Sequence, residues 1–171
     1  MSDTLIRTLI IAGTATACAL TLAPQTATAD NHHARCDRVS GELEEDFTTG
    51  AACPPDHPNC FTGHIDGHNI HATTRFYGEG SAPAPAPSPG WFSYSGVTTY
   101  TMHHGSIVTR ETGVTNSDDI PEGGGRASLS LEVITEGTGD LAGATGYLFV
   151  TGFVDADRHV TSHVEGKICA N

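Results

Sequence analysis

The sequence predicts an all-β domain: a single eight-stranded antiparallel barrel closed on itself, with a two-sheet β-sandwich as the alternative. Three observations carry this. Between Arg38 and Cys169 eight candidate strands follow one another, with no useful stretch of helical periodicity among them. Gly67-His68, His104-Gly105 and Ala156-Asp157 are connections short enough to be hairpin turns. Cys36 and Cys169 stand at the two ends of the run, where a bridge would tie first strand to last. An open sheet would leave two edges free to pair with other chains, and closure removes both.

Ahead of the strands, Arg7 and the small, apolar run from Leu5 to Leu22 lead to Ala27-Thr28-Ala29, a small-x-small cleavage pattern before Asp30. Residues 1–29 are therefore expected to be a cleaved signal peptide and 30–171 the folded domain, secreted or periplasmic. Cleavage removes one acidic and one basic residue, Asp3 and Arg7, so the net charge of −12 is unchanged. That balance argues against nucleic acid or an anionic membrane as partner, since both demand positive patches. Cys36, Cys53, Cys60 and Cys169 remain, an even set in an exported chain, and four cysteines allow three pairings. The stiff segment Cys53-Pro54-Pro55-Asp56-His57-Pro58-Asn59-Cys60 favours Cys53–Cys60, leaving Cys36–Cys169. On the loop-entropy model the short bridge contributes about 2–3 kcal/mol and the long one about 5.

In chain order the expected strands are Arg38–Phe47, Cys60–Asp66, Asn69–Glu79, Trp91–Met102, Ser106–Asn116, Gly125–Thr135, Thr145–Asp155 and Arg158–Cys169. Residues 30–34 should be a frayed start. The run Gly80 to Gly90, with a proline at every second position from Pro83, is expected to be a polyproline-like loop outside the ladder. Asn116 to Gly124 is expected to be a second loop, acidic and then glycine-rich. In the sixth strand Ala127, Leu129, Leu131 and Val133 share one face, against Ser128, Ser130, Glu132 and Ile134. The seventh is apolar on both faces, Tyr147, Phe149 and Phe153 against Leu148, Val150 and Val154, so both should be covered. The barrel interior covers one face. A second subunit is expected on the other, making the protein a homo-oligomer.

The seventh strand follows Thr135-Glu136-Gly137-Thr138-Gly139-Asp140-Leu141-Ala142-Gly143-Ala144-Thr145-Gly146, whose glycines exclude a helix and mark a tight irregular connection. This segment resembles the glycine-rich loop of the allene oxide cyclase and dirigent barrel superfamily. The C-terminal Glu165-Gly166-Lys167-Ile168-Cys169 and, more weakly, Phe61-Thr62-Gly63-His64-Ile65-Asp66-Gly67 extend the likeness. It covers most of the back half and little of the front. Glu136 stands where the family usually has glycine, and Leu141 where it usually has phenylalanine. The resemblance implies an eight-stranded calycin-like barrel, trimers, and a cofactor-free isomerase or cyclase activity. It carries over no catalytic residue.

Eight strands set a bore that is filled by side chains or holds one small ligand. The expected function is binding of a small apolar molecule, with Tyr94, Tyr100, Tyr147, Phe149 and Phe153 the candidates to line the bore. A cyclase of the resembled type and a structural barrel with a filled interior are the alternatives. Glu132 is the candidate acid–base group, on the condition that its face points inward, where burial raises a carboxyl pKa. Arg110 and Glu111 are adjacent on one strand, so one should face inward, whereas Glu44, Glu45 and Asp46 read as a solvated charge run. His64, His68 and His71 form an H-x3-H-x2-H string at a hairpin, a candidate for zinc or copper set against the simpler reading of surface histidines. His159 and His163, four apart on a strand, stand about 13 Å from each other, too far to share a metal. No cofactor is expected. G-x-S-x-G and phosphate-loop patterns are absent.

Overall fold

The computed structural model describes residues 35–83, 90–116 and 125–170. The expected signal peptide, the frayed start, and the central parts of the proline-rich and acidic loops (84–89 and 117–124) lie outside the described residues. The eight strands are β1 (Arg35–Thr49), β2 (Asn59–His68), β3 (Ile70–Pro83), β4 (Trp91–Met102), β5 (Gly105–Asn116), β6 (Gly125–Gly137), β7 (Thr145–Asp155) and β8 (His159–Ala170). Each pairs antiparallel with the next, and β8 returns to pair with β1 from Arg35↔Ala170 to Asp46↔His159. The barrel is closed, which excludes the sandwich. Among the described residues the helical content is two single 3-10 turns, Gly50–Ala52 and Gly139–Leu141.

Sequence and structure differ at the connections. The β2–β3 turn is His68-Asn69, because Gly67 pairs with Ile70, and Asn69 takes the left-handed φ of 58° that the turn requires. The β4–β5 turn is likewise His103-His104, with Met102 paired to Gly105. Both sit one residue earlier or later than expected, since a glycine beside a turn need not be inside it. After Asp155 the turn is closed by Arg158, whose φ is 65°, with the Asp155 carboxylate accepting from the amides of Asp157 and His159 at 2.9 Å. The β3 ladder does not stop at Glu79. A bulge there lets Gly80, Ser81, Ala82 and Pro83 go on pairing with β4, and proline is tolerated at the strand's last position.

Both disulfides form as expected, Cys53–Cys60 across the β1–β2 connection and Cys36–Cys169 joining the first and last strands. Two disulfides fit an oxidising compartment. The glycine-rich connection folds back over the β4–β5 turn. The Thr138 amide donates to the Ser106 carbonyl at 2.8 Å, and the Asp140 amide to the His104 carbonyl at 2.9 Å. Gly139 has a φ of 59°, and a Cβ there would collide with the His104 carbonyl oxygen. Only glycine permits that approach.

This fold-back helps to close one end of the barrel, where β2, β4, β6 and β8 finish. Val39, Leu43, Ile65, Ile70, Tyr100, Ile107, Leu148, Val164 and Ile168 are buried in one apolar cluster, with Leu141 of the connection packed against it. Toward the other end, where β1, β3, β5 and β7 finish, polar side chains join the apolar ones on the inward positions. That change along the bore makes the site.

Candidate functional site

Above the apolar plug lies a cavity of about 520 Å³. Its wall is mostly apolar, with Phe61, Phe76, Val150, Val154 and Val160, and its polar groups include Glu45, Glu111 and Glu132. These carboxylates come from three strands, β1, β5 and β6. Among the described residues the interior above the plug is therefore not filled by side chains.

Glu132 does face inward, with Ser128, Ser130 and Ile134, and Leu129, Leu131 and Val133 face out. Register explains the choice. Glu132 lies directly opposite Glu111 on β5 and opposite Leu148 on β7, and both neighbours are interior residues. Glu132 is 2 % exposed, Glu45 5 % and Glu111 7 %. Expecting Glu45 to be solvated is thus a misreading of the Glu44-Glu45-Asp46 run. Glu45 has the parity of Val39 and Leu43, both buried, and that parity is the signal that finds it. Of the adjacent pair on β5, Glu111 is the inward one, and Arg110 meets Glu79 on the outside at 2.6 Å.

The carboxylates are held by hydroxyls. The Thr109 hydroxyl donates to Glu132 Oε2 at 2.6 Å, and the Tyr100 hydroxyl lies 2.9 and 3.0 Å from its two oxygens. Tyr94 donates to Glu111 Oε1 at 2.8 Å and Thr98 to Oε2 at 3.2 Å. Tyr94 reaches that position because β5 has glycine opposite it; a Cβ on Gly113 would stand 2.5 Å from the Tyr94 ring. Among the described residues Glu45 Oε1 and the hydroxyls of Thr74 and Ser130 are buried without a well-formed hydrogen bond, although Thr74 stands beside Glu45 and Ser130 beside Glu111 closely enough to offset part of the rise in those carboxyls.

Burial, reinforced by the charge of Glu111, pushes the Glu132 carboxyl up to about 8. The same two causes raise Glu45 to about 7. Glu111 is raised as well, mainly by burial. Tyr94 and Tyr100 are pushed well up by burial and by the neighbouring carboxylates, so they stay protonated and act as donors. Near neutral pH the cluster therefore holds protons that ordinary glutamates would have lost, and its members titrate as a coupled group. It can give or take a proton at the floor of an apolar chamber.

Of the five aromatic residues expected in the bore, Tyr94 and Tyr100 are inside. Tyr147, Phe149 and Phe153 are not; they stand on the outer face of β7, 39–43 % exposed. With Leu129, Leu131 and Val133 of β6 they form one continuous apolar exterior, Leu131 paired to Phe149 and Val133 to Tyr147. Both faces of β7 are apolar, so parity within that strand alone does not reveal which one is interior.

The histidine string does not converge. His64 and His71 share Asp66 on the outer surface, at 3.7 and 2.9 Å, whereas His68 bonds to the Asn69 side chain in the turn. His163 pairs with Glu42 and His159 with Asp46, each at 2.8 Å, and the Asp46 contact raises His159 above its ordinary value. Among the described residues no group of three or more His, Cys, Asp or Glu side chains is placed to hold a metal ion.

No family model, no curated protein and no solved structure matches the chain.

Proposed function

We propose that this chain is an exported small-molecule-binding barrel, taking a ligand with an apolar body and one polar group into the cavity above the plug. The observation that supports this is the chamber itself, about 520 Å³, apolar at its wall and carrying hydroxyl-held carboxylates. Pockets that combine an apolar lining with a few placed polar groups are the usual form of a ligand site. The disulfides accord with export, and the closed eight-strand order with the resemblance to the allene oxide cyclase and dirigent barrels. The test is stoichiometric uptake of a neutral apolar fluorophore, N-phenyl-1-naphthylamine. One molecule should bind per chain, and Val154→Trp at the mouth should abolish uptake while leaving the melting temperature within a few degrees. Absence of saturable binding to the wild type would refute the reading.

A second reading, a cofactor-free isomerase or cyclase, is favoured by one observation: a buried carboxyl raised to about 8 facing the cavity, at Glu132. General acid–base groups work best with a pKa near the working pH. In that case Glu132→Gln abolishes turnover and keeps affinity for the neutral fluorophore; unchanged turnover would rule the role out.

We also propose that the outer face of β6 and β7 is covered by further copies of this chain, a trimer if the resemblance holds. Copies that each carry a net charge of −12 associate best through an uncharged face, and this one presents six large apolar side chains. Sedimentation at tens of micromolar should show an oligomer that Phe149→Glu converts to monomer. A wild-type monomer would dispose of the idea.

A further inference from the structure

The three interior glutamates pose a problem of charge. Glu111 and Glu132 face each other directly across the β5–β6 ladder, a pairing that like charges disfavour. Glu45 approaches from β1 on the same cavity. No lysine or arginine is buried among the described residues. Arg126 and Arg158 stand at the mouth, both exposed, and Glu79 lies at the edge, bound to Arg110. Among the described residues the other titratable groups facing the cluster are Tyr94 and Tyr100 on β4, whose uncharged hydroxyls donate to Glu111 and Glu132; β2, β7 and β8 contribute none to the cavity wall.

Burying one unpaired carboxylate is costly, and apolar residues at these positions would give a more stable barrel. Threonine and tyrosine hydroxyls satisfy Glu132 and Glu111, but they do not neutralise them. Glu45, only 5 % exposed and lining the cavity, has one buried oxygen with no well-formed hydrogen bond, only the Thr74 hydroxyl beside the carboxylate. A metal ion does not fit as the missing counter-charge, since among the described residues no three such side chains are placed at ligating distance. An ammonium group, bonding at about 2.8 Å rather than the roughly 2.1 Å of a small metal ion, makes a looser demand. An organic cation does fit, because an ammonium group offers three donors and its carbon body occupies the apolar wall.

Resting on the cavity-binding reading above, we infer that the ligand is a protonated amine on an apolar body, its ammonium group seated among Glu45, Glu111 and Glu132. The ammonium group donates to the Glu45 carboxylate and shares the charge of the cross-strand pair, while Phe61, Phe76 and the valines of β7 and β8 cover the hydrocarbon part. Arrival of the cation favours the ionised carboxylates, so binding expels protons from the cluster. Affinity should therefore rise with pH between about 6 and 8, the opposite of a ligand that needs the protonated acids as donors.

The test is isothermal titration calorimetry on the intact, disulfide-bonded protein with three matched probes: phenethylammonium, 2-phenylethanol and 3-phenylpropanoate. Each is titrated at pH 6 and pH 8, in two buffers of different ionisation enthalpy. Phenethylammonium should bind at least tenfold tighter than the alcohol at pH 8, release protons, and weaken at pH 6. Glu45→Gln should remove most of that preference, with Glu132→Gln as a second variant if the first does not fold. Equal or tighter binding of the alcohol or the carboxylate would overturn the inference and leave the cavity reading standing. Failure of all three probes together with N-phenyl-1-naphthylamine would overturn both.

Discussion

The wild-type protein should melt about 10 °C lower at pH 9 than at pH 5, and the double variant Glu45→Gln/Glu132→Gln should lose most of that dependence. The sign follows from burial. Folding lifts the Glu132 carboxyl to about 8 and Glu45 to about 7, while the unfolded chain has ordinary carboxylates near 4.5. Between those values the folded state holds protons that the unfolded state has released. Stability is thus complete below the unfolded value and is lost as pH rises through 7 and 8. A tenfold difference in proton affinity between folded and unfolded chain is worth about 1.4 kcal/mol, so several kcal/mol are at stake. His159, raised by Asp46, contributes in the same direction, and the double variant separates the two because it leaves His159 in place. A melting temperature that stays flat or rises with pH would contradict the buried cluster.

Replacing Cys36 and Cys169 together by serine should destabilise the barrel by about 4–5 kcal/mol, on the loop-entropy scale for a bridge of this length. The bridge spans 133 residues and pins the pair of strands whose meeting closes the sheet. Losing it frees the unfolded chain to separate its ends, and every contact between β1 and β8 must then form without that constraint. The corresponding change at Cys53 and Cys60, only seven residues apart, should cost about half as much. Chemical denaturation of the two double variants, monitored by tryptophan fluorescence and circular dichroism, gives both values. Equal losses, or a larger loss at Cys53–Cys60, would mean that barrel closure does not depend on the terminal bridge.

The architecture was legible because strand and turn chemistry are local. The spans of β4 and β7 match those expected, and both disulfides follow from a stiff proline loop and an even cysteine count. The site was harder because it inverts hydrophobic sorting. On β6 the leucine face points outward and the serine–glutamate face inward, so a rule that puts apolar side chains inside selects the wrong face. What places Glu132 is its register with Glu111 and Leu148, a nonlocal fact. Glu45 differs, since its parity with Val39 and Leu43 was visible and its charged neighbours obscured it. Residues Tyr147, Phe149 and Phe153 belong to the exterior because β7 turns its other apolar face, with Leu148 and Val150, to the plug and cavity.

The most direct measurement is an NMR titration of the glutamate side-chain carboxyl carbons, with Glu45, Glu111 and Glu132 assigned by single Gln substitutions. Two or more of the three should titrate in coupled steps at or above neutral pH, well apart from the surface glutamates. All three titrating together with the surface set, near the ordinary carboxylate value, would show that they face solvent and that the barrel holds no acidic chamber.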